Sequence, residues 1–227
     1  MAIRKLAYGA AARAHLSKID PALAKVIDVV GDIDFALRPE RFKALARAIV
    51  FQQLAGAAAN TIFNRFVALY PKVKFPTPAM VLATPLAKLR SAGLSEKKAL
   101  YIKDLAQHIE DKRLNFHRFH AMSDEEVIED LTRVKGIGAW TAQMFLMFNL
   151  GRPDVFPADD LGVMNGMRRL YKMRARPKRK HAIKLAERWR PYRSAAAIYL
   201  WRSLEIVLPD GSPPTVRRPT PRSSSKS

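Results

Sequence analysis

The sequence predicts an all-α fold. Three observations carry that reading: apolar residues recur at spacings of three and four, apolar–polar alternation over strand length is scarce, and prolines, glycines and capping residues cut the chain into helix-sized lengths. Asp20 and Pro21 open a helix whose stripe is Leu23, Val26, Ile27 and Val30, closed by Gly31. Pro39 opens the next, with Phe42, Leu45, Ile49 and Val50 on its apolar side. A third runs from Ala57 to Leu69 and stops at Pro71, after which Pro76, Pro78 and Pro85 permit only short pieces. Ser95 starts a helix carrying Ala99, Ile102, Leu105, Ala106 and Ile109. Ser123, with Glu126 three places on, makes a capping box for a helix reaching Leu131. Further helices are expected over Thr141 to Asn149, Leu161 to Tyr171, Lys178 to Trp189 and Ser194 to Leu208. Beyond Pro209 the run DGSPPTVRRPTPRSSSKS has almost nothing to bury and is expected to be a disordered basic tail.

Composition narrows the function. A chain of 227 residues, 48% hydrophobic and 26% charged, can build one or two domains around an apolar core. With no cysteine there is no disulfide, no cysteine-based zinc site, no cysteine-ligated iron–sulfur cluster and no thiol nucleophile. Every apolar run breaks well before the ~18 residues of a membrane span, so no membrane partner is expected. The first acid is Asp20, yet the start lacks an uninterrupted apolar stretch and reads as a helix lead-in rather than a secretion signal. Forty Lys and Arg against twenty Asp and Glu leave a net charge of +20. Such a surface repels itself unless a polyanion neutralises it; nucleic acid is the commonest such partner, with anionic membrane and a merely solubilising surface as the alternatives. Histidines 15, 108, 117, 120 and 181 show no metal-ligand spacing.

One segment, LTRVKGIGAWTAQMFLMFNLGRPDVFPADDLGVM, concentrates the candidates. A helix end is followed by Val134-Lys135-Gly136-Ile137-Gly138 and a new helix near Ala139. Two glycines around one apolar residue are expected to turn the backbone sharply, with Ile137 anchoring the turn. Amides after Gly136 and Gly138 then point outward at a helix start, where backbone N–H groups and the helix dipole hold a phosphate without reading bases. The competing reading is a plain helix–turn. Asp159 and Asp160 precede the next helix; an acid there is ordinarily an N-cap, but two acids exceed what one cap needs, and both stand beside apolar residues.

The hairpin VKGIGAWTA followed by DVFPADDLG resembles the helix-hairpin-helix DNA glycosylase superfamily, and more narrowly its alkylation-repair branch. IVFQQLAGAAANTIFNRF and AERWRPYRSAAAIYLW agree, so the resemblance covers most of Pro39 to Leu208 in the family's order. It implies two all-helical subdomains with a DNA-binding cleft between them. Residues 1–38 would pack with the C-terminal part, 39–150 would form the central subdomain with its hairpin at about 125–149, 151–208 would carry the catalytic-aspartate loop and C-terminal helices, and 209–227 the tail. Carried over position by position, the resemblance makes Asp160 the catalytic aspartate, with Asp159 supporting its loop. It makes Trp140 and Trp201 walls of the base pocket, Leu54 the wedge entering the duplex, and Gln53 the residue that fills the gap or touches the orphaned base. Gly136, Gly138, Ala139 and Thr141 become the phosphate-binding turn. Trp140 stands where the lyase branch has a Schiff-base lysine, and Lys135 lies elsewhere in the hairpin, so a monofunctional enzyme is implied. No cofactor is implied for catalysis; a structural cation would sit on the backbone carbonyls of Thr132, Val134 and Ile137. Met144 departs from the pattern, since a relative has an aromatic residue there. Both tryptophans have an ordinary alternative as core residues, whereas Trp189 is assigned to packing or to the Pro191 turn.

The implied chemistry is coherent. Alkylation at N3 or N7 makes a purine a cationic leaving group, so one carboxylate near C1′ can stabilise the oxocarbenium-like sugar without a second acid. The implied partner is damaged double-stranded DNA, bound by a monomer in the bacterial cytoplasm or eukaryotic nucleus. Arg168, Arg169, Lys172, Arg174, Arg176, Lys178, Arg179 and Lys180 are read as phosphate contacts, with tail arginines 217, 218 and 222 extending them; a solvated surface is the alternative. The competing function is a non-catalytic helix-hairpin-helix protein that binds nucleic-acid backbone. Such a binder needs neither the acid pair nor the two tryptophans.

Overall fold

The computed structural model describes residues 9–33, 37, 40–208 and 211–215. Among these, all regular structure is helical: α1 (Gly9–Ile19), α2 (Pro21–Val30), α3 (Arg41–Phe51), α4 (Gly56–Ala68), α5 (Pro78–Ala83), α6 (Leu86–Ser91), α7 (Glu96–Glu110), α8 (Asp124–Thr132), α9 (Ala139–Phe145), α10 (Leu161–Leu170), α11 (Arg179–Ala186) and α12 (Arg193–Ser203). Pro39 and the tail arginines lie outside the described residues. The helices gather into two units, one from residues 37–152 and the other from residues 9–33 together with 153–215.

In the first unit α7 is the central strut. Its face of Ala99, Ile102, Leu105 and Ala106 is buried, and α3, α5 and α6 pack around it. Burying a side chain as large as Leu or Ile stabilises by about 1.5–3 kcal/mol, so a four-turn stripe outweighs the weak intrinsic stability of a short helix. Phe63, Phe66, Tyr70 and Phe75 cluster beside it with ring centroids 5.8 to 6.4 Å apart. Helix starts follow the capping chemistry: Thr77 accepts from the Met80 amide, Ser95 from the Lys98 amide, and Ser123 and Glu126 form the reciprocal capping box.

The second unit is built around α12. Ser194 to Leu200 are all buried, so this helix is enclosed on every side, with α1, α2 and α10 against it. A Cβ on Gly166 would lie 2.5 Å from the Leu200 carbonyl oxygen, which is why α10 can lie so close to α12 only with glycine there. Asp20, 1% exposed, caps α2 and accepts from the Leu23 amide, the Tyr171 hydroxyl (2.6 Å) and the Trp189 indole (2.9 Å). Three donors compensate a carboxylate taken out of water. The same burial raises the Tyr171 phenol above its usual range.

Several expected boundaries are corrected. The helix read over Thr141 to Asn149 begins at Ala139 and ends in a wider π turn, Leu146–Leu150, stopped by Gly151 at φ 71°. The helix read to Trp189 finishes as a 3₁₀ turn, Glu187–Trp189, and that read to Leu208 stops at Ser203. Residues 211–215, expected to belong to the tail, are tied down. Arg169 donates to the carbonyls of Ile206, Ser212 and Pro213, and the Thr215 amide donates to the Leu204 carbonyl, which folds residues 211–215 onto the second unit. Arg169 is therefore a brace for the chain's own backbone rather than a phosphate contact.

Candidate active site and nucleic-acid interface

In the first unit the turn between α8 and α9 is tightly specified. Gly136 has φ 84°, and a Cβ there would lie 2.1 Å from the Tyr101 ring. Both the left-handed backbone and the close aromatic neighbour require glycine. Gly138 is different: its backbone is extended (φ −94°, ψ 171°), and a Cβ would meet nothing within 4 Å. The expectation that both glycines make the bend is corrected; Gly136 makes it and Gly138 leaves open space before α9. Val134 and Ile137 are buried and pin the turn, while Gly138, Ala139 and Trp140 are exposed. Their amides, with that of Thr141, stand in the first helical turn, where no intrahelical carbonyl faces them. The Thr141 side chain is buried, so this residue offers its amide alone. Trp140 is 48% exposed, which removes the core reading for it.

The loop between α3 and α4 is fastened to that turn. Gln52 donates its amide to the Gly136 carbonyl at 2.7 Å. Lys98, at the start of α7, donates to the carbonyls of Val50 (2.8 Å) and Gln52 (2.7 Å), closing the C-terminal end of α3. Partial burial among these carbonyls lowers the Lys98 ammonium below its usual range. Held this way, Gln53 takes φ 55° and projects with Leu54, 39% exposed, at the head of a solvent-facing run to Ala58. An exposed leucine at a strained, braced turn is not a core residue. Gln52, Lys98, Tyr101 and Asp104, which accepts the Lys135 amide at 2.8 Å, escaped sequence reasoning. Their partners lie 31 to 84 residues away along the chain. The neighbouring Gln53 and the FQQLAG motif were the only pointers.

In the second unit Asp160 is the N-cap of α10, and its Oδ1 accepts from the Val163 amide (2.7 Å) and from the Trp201 indole (2.8 Å). The cap is present, and the same half-buried carboxylate oxygen also takes the indole N–H. Trp201 is half-buried, with its N–H aimed at that oxygen. Asp159 is exposed and pairs with Arg179 at 3.1 Å, which ties the loop to α11. Trp189 is buried against Phe156 and bonded to Asp20, a packing role. Of the basic run, Arg168, Lys172, Arg174, Arg176, Lys178, Arg179 and Lys180 are exposed. Met144 is half-buried on α9. No cluster of three or more His, Asp or Glu among the described residues could hold a metal ion, and no described helix is long and apolar enough to cross a membrane.

These features define a helix-hairpin-helix repair fold. A family model described as "HhH-GPD superfamily base excision DNA repair protein" matches residues 46–191, a stretch that contains the braced turn and Asp160, and the chain belongs to that family. It is 37% identical over 204 residues to DNA-3-methyladenine glycosylase 1 of Schizosaccharomyces pombe, covering 86% of this chain and 88% of that one. Among solved structures it is similar to S. pombe 3-methyladenine DNA glycosylase (Mag1) in complex with abasic DNA, with a TM-score of 0.74, 36% identity and coverage of 84% and 95%. It is also similar to DNA-3-methyladenine glycosidase from Bacillus halodurans, with a TM-score of 0.79, 33% identity and coverage of 89% and 92%.

Proposed function

We propose that this protein is a monofunctional DNA glycosylase that flips alkylated purines of the 3-methyladenine and 7-methylguanine type out of duplex DNA and hydrolyses their N-glycosyl bond, leaving an abasic site. The observation that carries this is the Asp160 carboxylate, held on one oxygen by the Val163 amide and the Trp201 indole in a chain of this family.

Backbone amides at the start of α9 take a phosphate, and the exposed cations of the 168–180 run add sequence-independent contacts. Leu54 enters the stack and Gln53 meets the space the base leaves. The resemblance assigns Trp140 of the first unit and Trp201 of the second, each taken by itself, an indole face for the everted base, and a cationic purine gains ~0.5–2 kcal/mol over such a face. Extrusion costs a few kcal/mol, less for a damaged pair, which adds discrimination. As the bond between C1′ and the purine nitrogen breaks, the bonding electrons leave with the base and neutralise it. Asp160 stabilises the positive charge left on the sugar and orients or deprotonates the attacking water. Trp140 brings no amine to the position where a lyase would place one, so the strand stays intact. A cation on the hairpin suits the donor set: Thr132 closes α8, leaving its carbonyl past the last intrahelical amide, and the Val134 carbonyl accepts from Ile137 at 3.1 Å with a lone pair to spare. With the Ile137 carbonyl these residues would hold the ion and brace the turn; the reaction does not pass through it.

The test is incubation with methylated duplex. Free 3-methyladenine or 7-methylguanine is released, the strand is nicked only after alkali, and borohydride traps no protein–DNA adduct. Binding without base release contradicts the proposal, and a trapped adduct contradicts its monofunctional part.

A further inference from the structure

The segment that ends in Asp160 is fastened to α12 at both of its ends. At the start of α12 the Ser194 amide donates to the Pro153 carbonyl (2.9 Å), and the Ser194 hydroxyl accepts from the Val155 amide (2.9 Å). Arg193 grips the Asp154 carboxylate (Nε to Oδ1, 2.8 Å) and the Asp154 carbonyl (2.9 Å). Two turns further along the same helix, the Trp201 indole reaches Asp160 Oδ1. Ser194 is fully buried and the Arg193 side chain only 14% exposed, so this end of the segment is fixed in the interior of the unit. On the other side, a Cβ at Gly162 would lie 2.7 Å from Trp201 Cδ1 and 3.0 Å from Asp160 Oδ1. Any side chain at position 162 presses on donor and acceptor together.

We infer that Trp201 is a positioning residue that acts through its N–H, with α12 behind it, to hold the Asp160 carboxylate in a single orientation. This rests on the reading of Asp160 as the group that stabilises the sugar cation. A capping bond alone leaves a carboxylate free to rotate about its broad terminal torsion. A second donor on the same oxygen, carried by a ring seated in an enclosed helix, removes that freedom. Electrostatic stabilisation of a developing charge depends on such fixed placement, and a misplacement of about 1 Å costs on the order of 100-fold in rate.

Trp201→Phe keeps an aromatic face and deletes the N–H; Gly162→Ala disturbs the same pair while leaving both residues in place. In single-turnover reactions on 7-methylguanine duplex, both variants lose about 10- to 100-fold in maximal rate, as expected for a lost charge-assisted hydrogen bond at the reacting group. The protein concentration giving half that rate stays within about twofold, because the ring face is kept. A wild-type rate in Trp201→Phe, or a loss confined to half-saturation, overturns the inference. A second readout does not depend on activity. The chain has three tryptophans, and the indole N–H signal that disappears in Trp201→Phe moves in Asp160→Ala, which removes the acceptor, while the Trp189 signal stays in place. An unmoved Trp201 signal overturns the inference even in an active enzyme. Failure of the wild type to release base strikes the functional reading instead, and the spectral shift tells the two failures apart.

Discussion

Gly136 and Gly138 stand two positions apart in one turn and answer to different constraints. Gly136 is demanded by its own fold, through φ 84° and the Tyr101 ring, whereas Gly138 has ordinary backbone and an empty surround. Gly136→Ala is therefore expected to lose about 2–4 kcal/mol in a denaturant melt, the combined cost of left-handed strain and a clash. Gly138→Ala is expected to cost about 1 kcal/mol of stability, the poorer N-cap preference of alanine with no clash or backbone strain added, while weakening duplex binding several-fold because its methyl group occupies the phosphate approach. Equal stability losses in the two variants would contradict this division. The sequence shows two glycines and cannot separate them, because the separation depends on a tyrosine 35 positions upstream. The two capping aspartates teach the same lesson. Asp20 and Asp160 each precede a helix, but Asp20 is sealed by Tyr171 and Trp189, whereas Asp160 is half-buried and takes one indole N–H from Trp201, near the end of α12. Capping chemistry is local and visible in sequence; burial is not.

At the scale of elements, helix starts were the most legible feature. Ser95, Ser123 and Asp20 with Pro21 cap where their side-chain chemistry places them, because a cap involves residues three positions apart. Helix ends were less legible. The π turn after α9 ends at Gly151, whose left-handed backbone packs against Leu37, and just past the early stop of α12 the Leu204 carbonyl takes the Thr215 amide; neither partner is adjacent in sequence. Helix α12 also makes an alkaline prediction. The Tyr199 hydroxyl donates to the Gly31 carbonyl at 3.0 Å, and burial pushes its phenol up to about 12. The unfolded chain loses this proton first, near pH 10, so the stabilisation is complete below pH 10 and drains away as pH rises toward 12. Melting temperature should drop across that window. Tyr199→Phe should be less stable at pH 7 by about 0.5–1.5 kcal/mol and show a shallower alkaline drop. A drop of wild-type steepness in the variant would assign the transition to other groups.

For the molecule as a whole, the net charge of +20 was the earliest pointer to a polyanionic partner, and a charge total is legible without any fold. What it could not reveal is which cations face outward. Arg169 is spent on carbonyls of its own chain, while its neighbour Arg168 is exposed. A truncation after Thr215 removes Arg217, Arg218, Arg222 and Lys226 but keeps the backbone that Arg169 and Leu204 hold. Its DNA affinity should fall less steeply with salt, by up to ~0.9 in the log–log slope for each phosphate no longer neutralised, with an unchanged excision rate at saturation. An unchanged slope would show that these arginines do not touch the duplex.

The proposed chemistry depends on the carboxylate of Asp160, and Asp160→Asn isolates it, since the amide can still accept the Val163 and Trp201 hydrogen bonds through its oxygen. Single-turnover release of 7-methylguanine from duplex, measured beside affinity for the same duplex, is the direct test. Excision should fall by three orders of magnitude or more, about 4 kcal/mol of lost transition-state stabilisation, with DNA affinity within a few-fold of wild type. Release at the wild-type rate by Asp160→Asn would contradict that chemistry.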